Sequence, residues 1–346
     1  MRGLRFFPLW LLLSSTGLLA QSSPAAQTSA AAGVAAVPPI VRRVGMVDLA
    51  RQPGFASVVL AGDFLVMSHS TTNTVDVFDI AKRRIVAQVE NLQNPAGLAV
   101  DAAAGKVYVA NRGTQEIAVI STSDWKVQSR IPLKTSPRVL LLVPKSGMLY
   151  SANWHHRSLS VVDLKQQTAR TVPIEGSPEQ MAFDAERNQL YVTLQDVGAV
   201  AVLSPALEEK KRFVVQGSLP TGIAFDAASQ QIYVAVREAI VALNPDTGQE
   251  VNRATAPAGV DTLQLTANRL YAAASGGSVL IYRTGRGGLT AEHSIPTGVQ
   301  GNSVAYHAAR NLLLLPGGRD GGAKLLLLQP LPQPNSSSTG VEAAAR

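Results

Sequence analysis

Apolar and polar residues alternate with a period of two in short segments along this chain, and turn-forming residues separate the segments. In one clear stretch the predicted strands are residues 97–100, 106–110, 116–121 and 127–132. Val107 and Val109 would lie on one face of the second strand, with Tyr108 and Ala110 on the other. No window has a helical stripe longer than two turns. The pattern therefore predicts four antiparallel strands in this stretch.

The same pattern recurs about every 41 residues. Its clearest copies are Pro95-Ala-Gly-Leu-Ala-Val-Asp and Pro220-Thr-Gly-Ile-Ala-Phe-Asp, and each is followed by a second strand. The seven copies begin at Gly54, Pro95, Pro137, Pro178, Pro220, Val260 and Gly301. A four-stranded repeat at this period predicts an all-β fold, a seven-bladed β-propeller of four-stranded antiparallel blades.

The last copy lacks a fourth strand. Its predicted strands are residues 303–306, 312–315 and 324–328, after which Pro330 and a polar tail follow. Residues 41–47, before the first copy, form an isolated segment with the same alternation. Because pairing this segment with residues 324–328 would leave no open sheet edge, we expect the N-terminal strand to close the last blade.

Composition agrees with a large, well-buried β body: 46% of the 346 residues are hydrophobic and 16% are charged. The net charge of +7 is scattered along the chain, so nucleic-acid binding is not expected. Because the chain has no cysteine, it has no disulfide, no thiolate metal site and no Cys-x-x-Cys-His haem attachment.

The N-terminus reads as a targeting segment. Arg2 and Arg5 precede a short apolar run that Pro8 interrupts, which indicates a cleaved secretory signal in residues 1–20 rather than an uncleaved anchor. Residues 21–39 read as a flexible Ala/Ser/Pro linker, 40–329 as the propeller and 330–346 as a disordered tail. We therefore expect a secreted or periplasmic monomer that does not span the membrane after cleavage.

Four copies carry a common phrase in the second strand. These are Tyr108-Val-Ala-Asn, Tyr150-Ser-Ala-Asn, Tyr191-Val-Thr and Tyr233-Val-Ala. With the preceding Pro-x-Gly element, the chain resembles the YVTN family of β-propeller repeats over about 290 residues. It departs from that pattern in the first and last copies, where Leu65 and Leu313 replace the tyrosine. The resemblance implies an extracytoplasmic or surface propeller and implies no defined activity.

The repeated residues are interpreted as scaffold. The tyrosines, which also include Tyr271, should pack between neighbouring sheets with the hydroxyl on a local partner. Asp101, Asp184 and Asp226 end first strands and should fix the following turns through backbone amides. Function is therefore expected where the copies differ.

The loops after the second strands differ most between copies. By analogy with other propellers, they share one face with the starts of the first strands, around the mouth of a central channel. Trp154, His155, His156 and Arg157 form the most unusual loop and are a plausible recognition patch. Further candidates on this face are Arg112, Arg138, Glu179, Gln180, Arg237, Asp261, Asn302 and Arg319. Its arginines would suit an anionic or carboxylate-bearing ligand.

Two sets of residues are candidate metal sites. His155 and His156 are adjacent, and His69 lies two copies earlier in the ring, so a three-histidine site is not expected. Glu179, Asp261 and Asn302 could instead hold Ca²⁺ with oxygen ligands, in a way that resembles some propeller lactonases.

Motifs for catalysis are absent: the chain has no Gly-x-Ser-x-Gly, no His-Glu-x-x-His and no phosphate-binding glycine loop. We therefore expect an exported binding or scaffold protein without a cofactor, which recognises a protein, a peptide or an envelope polymer through its loop face. The alternatives are a divalent-metal-dependent, lactonase-like hydrolase with its site at the channel mouth, and a redox partner subunit.

Overall fold

The structure is a computed structural model that describes residues 40–217 and 219–331. The predicted signal peptide (1–20), the predicted linker (21–39) and almost all of the predicted tail lie outside the described residues. Within the described part, no helix is long and apolar enough to cross a membrane.

The described residues form 28 strands in seven four-stranded antiparallel sheets, which are the blades of a propeller. Strand β1 (Val41–Asp48) precedes the first blade. Blade 1 contains β2 (Phe55–Ala61), β3 (Phe64–His69), β4 (Thr74–Asp79) and β5 (Arg84–Val89). Blade 2 contains β6 (Pro95–Asp101), β7 (Lys106–Asn111), β8 (Glu116–Ser121) and β9 (Val127–Pro132). Blade 3 contains β10 (Val139–Val143), β11 (Met148–Asn153), β12 (Ser158–Asp163) and β13 (Thr168–Pro173).

Blade 4 contains β14 (Pro178–Asp184), β15 (Gln189–Leu194), β16 (Ala199–Leu203) and β17 (Glu209–Val214). Blade 5 contains β18 (Ile223–Asp226), β19 (Gln231–Val236), β20 (Ala239–Leu243) and β21 (Glu250–Thr255). Blade 6 contains β22 (Leu263–Leu265), β23 (Arg269–Ala274), β24 (Ser278–Gly285) and β25 (Gly288–Pro296). Blade 7 contains β26 (Ala305–His307), β27 (Leu312–Arg319) and β28 (Gly322–Pro330). The predicted fold class is confirmed.

The N-terminal strand completes blade 7, as predicted. β1 runs antiparallel to β28 from the pair Val41 and Pro330 to the pair Asp48 and Lys324, and the sheet order is β1-β28-β27-β26. Lys324 also forms an ion pair with Asp48 at the end of this ladder. The ring is therefore closed by backbone hydrogen bonds between the two ends of the folded body.

Side chains on the two faces of each strand contribute to two different interfaces between blades. Val107 packs with Val66 of blade 1, whereas Tyr108, its neighbour in sequence, packs with Leu149 of blade 3. Because successive side chains of a strand point to opposite faces of the sheet, both faces of a blade are buried against its neighbours. This explains why the second strands are apolar on both faces.

The repeated polar groups have the structural roles predicted for them. Tyr191 donates its hydroxyl proton to Asp184, with an O–O distance of 3.2 Å, and the Tyr150 hydroxyl donates to the Pro205 carbonyl at 3.1 Å. The Asp101 carboxylate accepts the amide proton of Ala104 at 2.9 Å, which fixes the turn after β6.

The register places two sets of loops at the same end of the ring. Pro95, at the start of β6, pairs with Asn111, at the end of β7, whereas Asp101 pairs with Lys106 at the opposite end. We call the end with the starts of the first strands and the loops after the second strands the loop face. This arrangement confirms the predicted common face.

Candidate functional site

The loop after β11 is built as a short 3₁₀ turn, Trp154–His156, that ends at Arg157 with a left-handed backbone (φ 42°). The Trp154 indole Nε1–H donates to the Gln195 side chain of blade 4 at 3.3 Å, which ties the loop to the neighbouring blade. The two histidines have different neighbours. His155 contacts Arg112 of blade 2, whereas His156 Nδ1 accepts the Ser136 amide proton at 3.4 Å.

Four predicted site residues from blades 2 and 3 form one cluster on the loop face. The Arg138 guanidinium carbon lies 5.6 Å from the centroid of the Trp154 ring, within the range of a cation–π contact. Trp154 meets His155 edge to face, with 4.8 Å between ring centroids. Arg112 Nη2 donates to His155 Nε2 at 2.9 Å. We call Arg112, Arg138, Trp154 and His155 the arginine–tryptophan cluster.

Acidic groups lie directly beside this cluster. Arg138 donates to Glu179 Oε2 at 2.6 Å, and the Glu179 side chain is only 4% exposed. Burial raises the pKa of Glu179, the negative charge of Asp261 raises it further, and Arg138 opposes both effects. Asn302 in turn donates its side-chain N–H to Asp261. The predicted residues Glu179, Asp261 and Asn302 are therefore brought together around the channel.

Arg112 has a different electrostatic environment from Arg138. Burial lowers the pKa of Arg112, and the positive charge of Arg138 lowers it further. Among the described residues Arg112 has no carboxylate partner, and its Nε atom is buried without a hydrogen-bond acceptor. Burial also lowers the pKa of His155, helped by Arg112 and Arg138, which favours the neutral imidazole that accepts the Arg112 proton.

Two connected cavities open at this face. The channel cavity has a volume of about 330 Å³, and its lining includes Arg112, Arg138, Glu179, Gln180, Asp261 and Asn302. A larger cleft of about 730 Å³ lies beside blades 7 and 1, where Gln300 and Arg319 are among its lining residues. Phe55, Asn302 and Ser303 border both cavities, so the cleft continues into the channel mouth.

This cleft could not be predicted from the sequence, in which the glycine-rich run 317–322 has no pattern typical of ordered backbone. The run belongs to the hairpin of β27 and β28, and Gln300 forms a two-way backbone bridge with Gly318 at 2.8 Å. A Cβ atom at Gly317 would lie 2.4 Å from the Gln300 carbonyl oxygen. Glycine is therefore required at position 317 by the close approach of two backbone segments, and this part of the cleft wall is ordered backbone.

Arg157, Arg237 and His69 lie outside the cluster and have other surroundings. Arg157 forms an ion pair with Asp196 at 2.6 Å on the exposed surface. Arg237 lines a separate recess of blade 5 beside Arg253, and is not brought to the channel mouth as predicted. His69 is fully buried, with Nε2 2.5 Å from the Gln52 carbonyl oxygen, so it is a core residue of blade 1.

No group of three His, Asp or Glu side chains that could hold a metal ion occurs within residues 40–217 and 219–331. The histidines accordingly form no common site there. The sequence also gave no indication of Gln195 and Ser136, which orient the Trp154 loop from neighbouring segments. Both are ordinary polar residues, and only their position in space gives them this role.

Solved structures with the same fold include very different proteins. A hydrazine synthase from Kuenenia stuttgartiensis is similar with a TM-score of 0.68 and 15% identity, over 79% of this chain and 95% of that chain. A virginiamycin B lyase from Staphylococcus aureus has a TM-score of 0.69 and 12% identity, over 84% of this chain and 99% of that chain. The WD40 repeats of RRP9 have a TM-score of 0.71 and 11% identity, over 84% of this chain and 100% of that chain. No protein-family model and no curated protein matches this sequence. At these identities the likeness establishes the β-propeller fold alone.

Proposed function

We propose that this chain is an exported propeller that recognises a protein, a peptide or an envelope polymer through its loop face. The observation that supports this most is the convergence of Arg112, Arg138, Trp154 and His155 at the mouth of a connected cavity. Tryptophan and arginine are enriched among the residues that contribute most to binding at interfaces. Export rests on the signal-like N-terminal sequence, and membership of the YVTN family rests on the Tyr phrases.

The experiment is a pull-down from an envelope extract with the purified chain as bait. The double variant Trp154→Ala with His155→Ala should lose partners that the wild type retains, because it removes the aromatic part of the cluster. Arg237→Ala is the matched control, since Arg237 is on the same face but lies in a separate recess. Equal thermal stability of all three proteins is required. Retention of the same partners by the double variant would refute the proposed patch.

A metal-dependent hydrolase is the second candidate, because Glu179, Asp261 and Asn302 border the same cavity. The donors fit Ca²⁺ by type, but Arg138 already neutralises Glu179 and Asn302 directs an N–H at Asp261. A bound cation would have to displace Arg138, which favours the binding function. Metal analysis of protein purified without chelator tests this alternative. Stoichiometric Ca²⁺ that is lost in Glu179→Ala and Asp261→Ala would support the hydrolase.

A further inference from the structure

Of the residues that the structure describes, only one carboxylate contacts the two guanidinium groups at the channel mouth. Arg138 is paired with Glu179 at 2.6 Å, whereas Arg112 contacts only the imidazole of His155 through its side chain. Within the described residues, the buried Nε of Arg112 has no acceptor. Asp261 lines the same cavity but accepts its hydrogen bond from Asn302, so Arg112 is left, in the described part of the chain, without a contacting carboxylate and with an unused hydrogen-bond donor. This is the arrangement expected when the missing acceptor belongs to a ligand.

Both arginines are held in place before any ligand arrives. Glu179 and the Trp154 ring fix the Arg138 side chain, and its carbonyl oxygen accepts the Gly97 amide proton at 2.7 Å. The Arg112 side chain is held by His155, and its carbonyl oxygen accepts the Ser136 hydroxyl proton at 3.3 Å. Binding therefore requires little loss of side-chain conformational entropy at the two arginines, which favours affinity for a small charged group.

The chemistry of the cluster selects among anionic ligands. A planar guanidinium matches a carboxylate, which it can bind with two parallel hydrogen bonds. Trp154 is a poor platform for a sugar ring, because Arg138 lies over its ring and His155 packs against it. The cavity at the cluster holds about 330 Å³ and continues into the cleft of about 730 Å³, which is room for an extended chain.

We propose that Arg112 and Arg138 bind a side-chain or terminal carboxylate of an acidic peptide segment, which continues from the channel mouth into the cleft between blades 7 and 1. This inference rests on the proposed function and names its ligand. The carboxylate sits beside Arg112, where the cluster lacks an acid, and Glu179 keeps Arg138 oriented. The peptide backbone then crosses the border formed by Asn302 and Ser303.

The test uses a fluorescein-labelled hexaglutamate peptide, with hexaglutamine as its neutral counterpart, and measures fluorescence anisotropy at low and at physiological salt. The wild type should bind hexaglutamate and not hexaglutamine. Arg112→Gln should weaken binding roughly 10- to 100-fold, as expected for the loss of a charge-assisted hydrogen bond. Arg112→Lys should restore only part of the affinity, because lysine keeps the charge without the planar fork. Arg237→Gln is the control and should bind like the wild type.

Several outcomes would overturn the inference. Equal affinity of Arg112→Gln and the wild type, or an equal loss in Arg237→Gln, would mean that hexaglutamate binds through general surface charge. Tight binding of oligogalacturonate without binding of hexaglutamate would assign the site to a polysaccharide instead. If Arg112→Gln retains every envelope partner that Trp154→Ala with His155→Ala loses, the proposed function stands and the carboxylate site is wrong. Thermal melting of each variant verifies its fold.

Discussion

Gly97 allows a quantitative test of how the repeat builds the site. It is the glycine of the Pro-x-Gly element in blade 2, on the inner strand β6. A Cβ atom there would lie 2.6 Å from the Arg138 carbonyl oxygen, 2.7 Å from the Val139 Cα and 2.8 Å from the Leu140 amide nitrogen. All three atoms are backbone, so no side-chain rotation can relieve the contacts. Gly97→Ala must therefore push the start of blade 3 away from blade 2.

The expected cost follows from these contacts. Overpacking of this kind typically costs about 1–3 kcal/mol, and a domain of this size loses about 2 °C in Tm for each kcal/mol. We therefore expect Gly97→Ala to lower Tm by roughly 2–6 °C. Gly222, the equivalent residue of blade 5, should tolerate alanine better, because its nearest contact would be at 3.0 Å. Gly276 has open space around its Cβ position and is the matched control.

The assay is thermal unfolding of the three alanine variants beside the wild type, together with anisotropy of the hexaglutamate peptide. Gly97→Ala should also weaken binding of the hexaglutamate peptide, because the displaced backbone carries Arg138. Gly222→Ala should weaken peptide binding less than Gly97→Ala, since its nearest contact, the Asp261 carbonyl oxygen at 3.0 Å, requires a smaller backbone shift. If Gly97→Ala melts like Gly276→Ala, the close approach of blades 2 and 3 is not a constraint, and the reasoning is wrong.

Three further predictions concern closure, the core and pH. Deletion of residues 41–47 should lower Tm and cause association in size-exclusion chromatography, because β28 becomes an open edge. Tyr191→Phe should cost about 1–3 kcal/mol in urea unfolding, because Asp184 and Gln189 lose their buried partner. Burial raises the pKa of Glu179, so the folded state holds this proton more tightly than the unfolded chain. The free energy of unfolding of the wild type, relative to that of Glu179→Gln, should therefore be greatest below the ordinary carboxyl pKa. It should decrease as the pH rises through the raised pKa of the folded state. A difference that does not change with pH would contradict this prediction.

Local patterns predicted the strands well, because alternation and turn residues act over a few positions. β8 and β9 begin and end where the sequence places them, and the closing strand followed from the requirement that no sheet edge remain open. The loops were less predictable. Arg112 and Arg237 both directly follow a second strand, yet Arg112 begins a 3₁₀ turn that reaches His155 of blade 3. Arg237 sits in a two-residue turn between β19 and β20, which is too short to reach the next blade.

One position of the repeat explains why the site forms where it does. The residue after the first position of each copy lies at the start of the inner strand, where seven blades converge. In chain order these residues are Phe55, Ala96, Arg138, Glu179, Thr221, Asp261 and Asn302. Six of the seven line the channel cavity, and the seventh, Thr221, donates its hydroxyl proton to the Val260 carbonyl of the next copy at 2.6 Å.

The repeat determines where these residues lie but not which side chains they carry, so charged residues can occupy the ring without any change in the blades. Arg138 and Glu179 fill this position in adjacent copies, which is why they meet. The pairing of Arg138 with Glu179 could therefore be predicted by aligning the seven copies of the repeat. The contact with Trp154 and His155 could not, because it depends on a loop that occurs in one copy only.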